Sequence, residues 1–582
     1  MSLVLNGIPA PNWRWIRDLV WKLEHSFERA RAAGRAEDDT RIRILVVLAA
    51  FSVGFVVLAA GATKMAMYPG VSRVSGGGLE GGMARADLVD RNGSMLAIDL
   101  AHYGLYLEPR EIWDTNETRR ALLAVLPDLP QARIDRALKS KHRGFLVGGL
   151  TPTVKAQIHD LGLPGISFEP EQKRIYPLGS TAAHMIGFAD TGGRGLGGAE
   201  AAFNDDIRKM AGDKVPFALS VDLRIQAALE DELTKAAREF NPHGAVGIVT
   251  NVRTGEILGM ASWPTFDPNH PGQATDEQKL NRAASAVYEM GSTFKAFTVA
   301  IGLDTGEATP NSTFDARAPF RMGYRTIHDY HATGKILSLV EVFQHSSNIG
   351  TARLAERIGP TRLSHYFDAL GLTRPAKVEL RESAMPLVPR KWDEDAVAST
   401  SFGHGIDVSP LALSRAMGAL LNGGSLVPLT IRKVPDGAKV GGPRVVSEKT
   451  SLEMLQIMRA NVTGGSGGKA DVPGLTVGGK TGTGEKYDPA IRGYSPTKQV
   501  SSFAAVFPTD GDVKTDRYFV LILMDEPHGN AATSGFSTGG WVAAPAAGRV
   551  IDRIAPFLHV RRQADIASLS RARAPANPGD EQ

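Results

Sequence analysis

The run 44–63, ILVVLAAFSVGFVVLAAGAT, carries no charge, and about 20 such residues are what a helix needs to cross a bilayer core. Arg29, Arg31, Arg35, Arg41 and Arg43 lie just before it, and only Lys64 and Arg73 lie comparably close after it. Basic residues stay on the cytoplasmic side. The expected topology is therefore a cytoplasmic segment 1–43, one transmembrane helix 44–63, and everything later outside. A cleavable signal peptide would carry a shorter apolar region nearer the start. No later stretch is long and apolar enough for a second span. Before the run, Trp13, Ile16, Val20, Leu23 and Phe27 recur at helical spacing. They predict an amphipathic helix that lies on the membrane surface or binds a partner.

The remaining chain is long enough for more than one domain. Its net charge of +4 over 582 residues is small and points away from nucleic acid. Without cysteine there are no disulfides, thiolate nucleophiles or cysteine-held metals. Residues 64–84 include Ser75-Gly-Gly-Gly-Leu-Glu-Gly-Gly82, a flexible tether. Region 85–216 opens with a turn at Asn92-Gly93. It mixes short strands with helices near 118–126 and 153–161 and gathers no catalytic residue types, so it reads as a spacer or docking pedestal.

Region 217–560 differs. Ile225, Leu229, Leu233, Ala236 and Phe240 line one helix face. Strands are expected at 245–250, 256–261, 475–483, 501–507 and 518–524, and a helix at 541–557. Strands at both ends with helices between predict an α/β (α+β) fold, an antiparallel sheet covered by helices. The segment 561–582 is polar and proline-containing, and a disordered tail is expected there.

Within this region Gly291-Ser-Thr-Phe-Lys295 precedes an apolar pattern of Phe294, Phe297 and Ile301. Ser292 is thus expected to open a buried helix, with Lys295 on the same face. A serine at a helix start beside an amine suits nucleophilic acyl transfer: the amine takes the hydroxyl proton, and the helix end favours the oxyanion. By itself the motif is weak, and an ordinary N-cap would look the same. Two other Ser-x-x-Lys stretches, from Ser466 and Ser495, sit among glycines or are broken by proline and open no apolar helix.

Two further elements decide. His345-Ser-Ser-Asn-Ile-Gly350 holds Ser346-x-Asn348, and Gly479-Lys-Thr-Gly-Thr483 lies on an expected strand. Ser-x-x-Lys, Ser-x-Asn and Lys-Thr-Gly in this order mark serine penicillin-recognising enzymes. The chain is identified as a member of the class B penicillin-binding proteins, in their septal branch. Arg85 to Ala97, Arg174-Ile-Tyr-Pro177, Gly187-Phe188, Gly195 to Glu200, Asn281-Arg-Ala283, Tyr288-Glu-Met-Gly291 and Ser401 to Pro410 resemble that family. Ala86 and Met290 replace its usual Gly and Pro.

The resemblance implies a penicillin-binding transpeptidase fold with an elongated pedestal. It also implies a D,D-transpeptidase that cross-links peptidoglycan stem peptides through an acyl-enzyme on Ser292 and is blocked by β-lactams. Lys295 is then the base, which must lose its proton. Ser346 relays the proton to the leaving amine, and Asn348 holds Lys295 and the substrate amide. Lys480, with Thr481, Gly482 and Thr483, binds a terminal carboxylate. Backbone N–H groups of Ser292 and Thr483 form the oxyanion hole. No cofactor or metal is called for. The implied partners are a separate membrane glycosyltransferase of the FtsW type and other divisome proteins. No glycosyltransferase module precedes residue 220, which disfavours a bifunctional enzyme.

Other readings compete. An elongation-type paralogue shares the motifs. A D,D-carboxypeptidase or β-lactamase shares them too but passes the acyl group to water. Gly474-Leu-Thr-Val-Gly-Gly-Lys-Thr481 also fits a P-loop, but the residues after it cannot sustain the helix a P-loop requires. His328, Asp329 and His331 lack further ligands at metal spacing and read as structural or cleft-edge groups. His404 reads as part of a turn, and Asp525-Glu526 as a strand end.

Overall fold

The computed structural model describes residues 84–563, apart from 489 and 492, and scattered positions between 21 and 58. Within run 44–63 the described positions, among them Phe51, Phe55 and Leu58, are helical with exposed apolar side chains. Among the described residues no helix is long and apolar enough to cross a membrane. Most of that run lies outside them, as do Trp13, Ile16, Val20, Leu23 and Phe27, the tether up to 83, and the tail beyond 563.

The stretch that begins at residue 84 opens with a hairpin, β1 (Leu88–Val89) and β2 (Met95–Leu107). The Asp90 carboxylate accepts the N–H groups of Asn92 and Ser94 at 2.8 Å each, which closes the Asn-Gly turn. β2 also pairs antiparallel with β3 (Gly144–Leu150) and β4 (Ile166–Ile175). Helices α1 (Thr115–Val125), α2 (Gln131–Leu138) and α3 (Pro152–Asp160) cover this sheet through Leu122, Ile134 and Ile158. β1 further pairs in parallel with β5 (Phe217–Ala218). The chain therefore enters and leaves the pedestal side by side.

A buried ionic knot holds that base. Glu200, with no exposed surface, takes Arg85 Nε and Arg174 Nε at 2.7 Å each. Asp99 accepts Arg174 Nη1 at 3.0 Å and the Arg85 backbone N–H at 2.8 Å. Removing one member leaves charge buried without a counterion. Glu200→Ala is accordingly expected to destabilise the chain by about 3–5 kcal/mol, read from the denaturant midpoint.

The larger region is built on one antiparallel sheet. In spatial order it runs β8 (Gly478–Asp488), β9 (Gly493–Phe507), β10 (Tyr518–Asp525), β6 (Gly244–Asn251) and β7 (Ile257–Trp263). These are the five expected strands, flanked by α4 (Leu223–Phe240) and α9 (Ala543–Ile554). β10 is apolar nearly throughout because both of its faces are covered. Val520, Ile522 and Met524 pack with Leu229, Leu233 and Ile551 on one side. Phe519, Leu521 and Leu523 alternate to the other side. That second face carries α5 (Lys295–Asp304), α6 (Asn348–Ile358), α7 (Pro410–Leu421) and α8 (Glu448–Gly464). β10 ends at Asp525, and Asp525 and Glu526 each take Lys486 Nζ at 2.7 Å. The P-loop alternative fails here, because Lys480 and Thr481 lie inside strand β8 and open no helix.

Candidate active site

α5 is buried from Lys295 through Gly302, as a helix at the centre of a large core must be. Phe294 and Phe297 anchor it against the Phe367 ring at 5.7 and 6.5 Å between centroids. Ser292 does not open the α-helix as the spacing suggests. It sits half-buried in a 3₁₀ turn, Gly291–Phe294, and the α-helix begins at Lys295. Tighter winding of this kind is common at helix entrances. The turn is closed by Thr293, whose hydroxyl donates to the Met290 carbonyl at 2.9 Å, so Ser292 does not serve as the cap.

The turn abuts the edge strand β8 across a seam without side chains. A Cβ on Gly291, whose φ is +51°, would lie 2.3 Å from the Thr483 carbonyl oxygen. One on Gly482 would lie 2.5 Å from the Met290 oxygen, and one on Gly484 2.1 Å from that of Glu289. Three glycines thus set the nucleophile's backbone directly beside that of Thr483. The Thr483 hydroxyl is fixed by the Gly539 N–H at 3.2 Å.

The three motifs converge on one hydroxyl. Lys295 Nζ donates to Ser346 Oγ at 3.0 Å, to Asn348 Oδ1 at 2.7 Å and to the Ser346 carbonyl. From the opposite side Lys480 Nζ reaches the same Ser346 Oγ at 2.9 Å, and Thr481 Oγ1 at 3.3 Å. Ser346 holds this place in the left-handed region, φ +55°, a conformation that costs a non-glycine residue about 1–3 kcal/mol and gathers at functional sites. Among the described residues the Ser292 hydroxyl takes no hydrogen bond. Free enzymes often leave such contacts open until substrate arrives.

Both amines are fully buried, and burial disfavours their charged forms. Lys295 is pushed down to about 7 by desolvation, against an upward pull from the Asp329 carboxylate. Lys480 lies well below the ordinary lysine range through desolvation and then the charge of Lys295. A hydroxyl shared by two amines favours one proton fewer: Ser346 then accepts from the charged amine and donates to the neutral one.

Several neighbours were not assigned to the site by sequence reasoning. Ser466, set aside as a glycine-rich decoy, donates or accepts at Thr481 Oγ1, 2.8 Å away. Asn461 secures both elements, accepting the Ser466 hydroxyl at 3.2 Å and donating to the Gly479 carbonyl at 2.8 Å. Its place on α8, 18 residues before Gly479, leaves no periodic signal. Glu289 accepts the Gly405 N–H and the Tyr494 hydroxyl at 2.8 and 2.7 Å, and burial lifts it to about 7. His404 does occupy a turn between glycines; desolvation and then the charge of Lys295 lower it to about 4, so it is neutral. Among the described residues no cluster suited to a metal is present.

The chain matches two family profiles, the penicillin binding protein transpeptidase domain over residues 245–551 and the penicillin-binding protein dimerisation domain over 82–194. It is 65% identical to the probable peptidoglycan D,D-transpeptidase FtsI of Caulobacter vibrioides, over 98% of each chain. It is 28% identical to the peptidoglycan D,D-transpeptidase FtsI of Escherichia coli K12, over 83% of this chain and 85% of that one. The crystal structure of penicillin binding protein 3 from Mycobacterium tuberculosis in complex with aztreonam superimposes with a TM-score of 0.63 at 25% identity. It covers 83% of this chain and 98% of that one. Convergent motifs, sheet order and close kinship agree, and the chain belongs to the class B penicillin-binding proteins, the family of FtsI-type peptidoglycan D,D-transpeptidases.

Proposed function

We propose that this chain cross-links peptidoglycan stem peptides at the division septum through a serine acyl-enzyme, and that β-lactams block it by acylating the same serine. The observation that carries the reading is the Ser346 hydroxyl held between two buried amines, 3.0 Å from Lys295 and 2.9 Å from Lys480. Ser292 attacks the carbonyl of the penultimate residue while Lys295 takes its proton. The oxyanion is received by the backbone N–H groups of Ser292 and Thr483, which the glycine seam brings together. Ser346 passes a proton to the leaving amine, and Asn348 orients Lys295 and the substrate amide. Lys480 with Thr481, Gly482 and Thr483 holds the terminal carboxylate. The acceptor amine then attacks the acyl-enzyme, and the same groups act in reverse.

We further infer residues 85–216 as a pedestal and 217–560 as the transpeptidase domain. A single inner-membrane anchor at 44–63 leaves the catalytic domain periplasmic. The arginines before that run and the exposed apolar side chains along it support this. A membrane glycosyltransferase of the FtsW type and other divisome proteins are the partners this placement calls for. The name of the relative at 65% identity favours septal over elongation duty.

Product analysis with the full chain, a pentapeptide donor and an added acceptor amine tests the reaction. Transfer product is expected; release of free tetrapeptide alone would make the chain a carboxypeptidase. A fluorescent fusion is expected at midcell, and signal along the lateral wall would assign it to elongation.

A further inference from the structure

Asp329 lies on the loop before the segment that carries Ser346, some distance in sequence from every motif. Its carboxylate nevertheless brackets Asn348. Oδ2 accepts the Ser347 hydroxyl at 2.7 Å, and Oδ1 accepts the Ile349 N–H at 2.9 Å. The carbonyl of the preceding residue, His328, accepts Asn348 Nδ2 at 3.1 Å. Asn348 is thereby gripped on both flanks and at its own amide, so that its Oδ1 is left facing Lys295 Nζ at 2.7 Å. Ser347, pinned by Asp329, in turn caps α6 by accepting the Gly350 N–H at 2.9 Å. With Ser347 fixed, the left-handed turn at Ser346 is fixed as well.

We infer that Asp329 is a positioning residue: it clamps the turn that presents Ser346 and Asn348 to Lys295, and stands as the carboxylate countercharge of that buried amine. The inference rests on the acyl-transfer reading above. Its logic is that desolvation alone would hold Lys295 still further below the ordinary lysine value, and a nearby carboxylate opposes that shift. Asp329 is the carboxylate whose field reaches Lys295 and favours its charged form. The other groups facing the amine do not supply that. Lys480 is another buried amine, and His404 is neutral.

The test is the second-order rate constant for acylation of the full chain by a fluorescent penicillin, measured from pH 5 to 9. Asp329→Asn removes the charge and can still accept the Ile349 N–H, while its amide nitrogen can only donate to the Ser347 hydroxyl. Lys295 then becomes neutral at lower pH, and the acid limb is expected to move down by roughly half to one pH unit. Its plateau is expected to fall, but by less than in Ser347→Ala, because the Ile349 N–H stays bound. Ser347→Ala keeps the charge and cuts the clamp. Its plateau is expected to fall by about tenfold or more with the limb unmoved. An unmoved or upward-moved limb in Asp329→Asn would overturn the countercharge. An unchanged plateau in Ser347→Ala would overturn the clamp. Labelling that persists in Ser292→Ala would instead overturn the acyl-transfer reading, and so separates the two failures.

Discussion

Ser292→Ala is expected to abolish covalent labelling by a fluorescent penicillin and to lower peptide transfer by several orders of magnitude, about 10⁴-fold or more. The thermal midpoint is expected to stay within a degree or two. The loss is chemical, since Ser292 carries the half-buried hydroxyl of the turn, while Thr293 is buried and committed to Met290. The fold is spared because Ser292 is half-buried and caps nothing. Gel fluorescence and a melting curve on the same preparation check both halves. A labelled Ser292→Ala chain would move the nucleophile elsewhere.

Lys295→Met separates activity from stability in the opposite sense. It fills much the same volume without an amine, and acylation is expected to fall by about 10²–10⁴-fold with no acid limb remaining. Stability should change with a definite sign. In the folded chain Lys295 lies near 7, below the ordinary lysine value of 10.5. Across that window the unfolded chain binds the extra proton, so native stability rises with pH. Burial of the amine is therefore most costly below pH 7 and is relieved as pH approaches 10.5. Lys295→Met is expected to melt higher than the unaltered chain at pH 6, with the gain shrinking towards pH 10. A gain that grew with pH would contradict a depressed lysine.

The sheet was legible mainly through β6, β7 and β10, which are largely apolar runs, β10 being buried on both faces, whereas β8 is glycine-rich and polar. The active-site motifs were legible because acyl transfer demands particular residue types at short spacing. What escaped was whatever depends on distant backbone meeting. Ser466 looked like a false match because glycines surround it. Those same glycines let the chain pass close to Asn461 and Gln344, where a Cβ on Gly465 would lie 2.5 Å from Asn461 Oδ1, and so deliver the hydroxyl to Thr481. Asp329 reads as one more polar loop residue until the fold brings it to Ser347. The 3₁₀ entry at Ser292 arises from contact with β8, which no local periodicity encodes. The pedestal was read only as mixed, since β2 alternates irregularly between buried and exposed positions and carries register shifts against β3.

The bare seam between the nucleophile's turn and β8 also bears on how such a target can evolve under antibiotic selection. Gly291, Gly482 and Gly484 occupy positions where even a methyl group would strike a main-chain carbonyl. Drug and natural peptide must both present a carbonyl at this junction, so no side chain can be introduced there to exclude the one and admit the other. Variants that escape inhibition while still building wall must therefore arise at positions other than these three glycines.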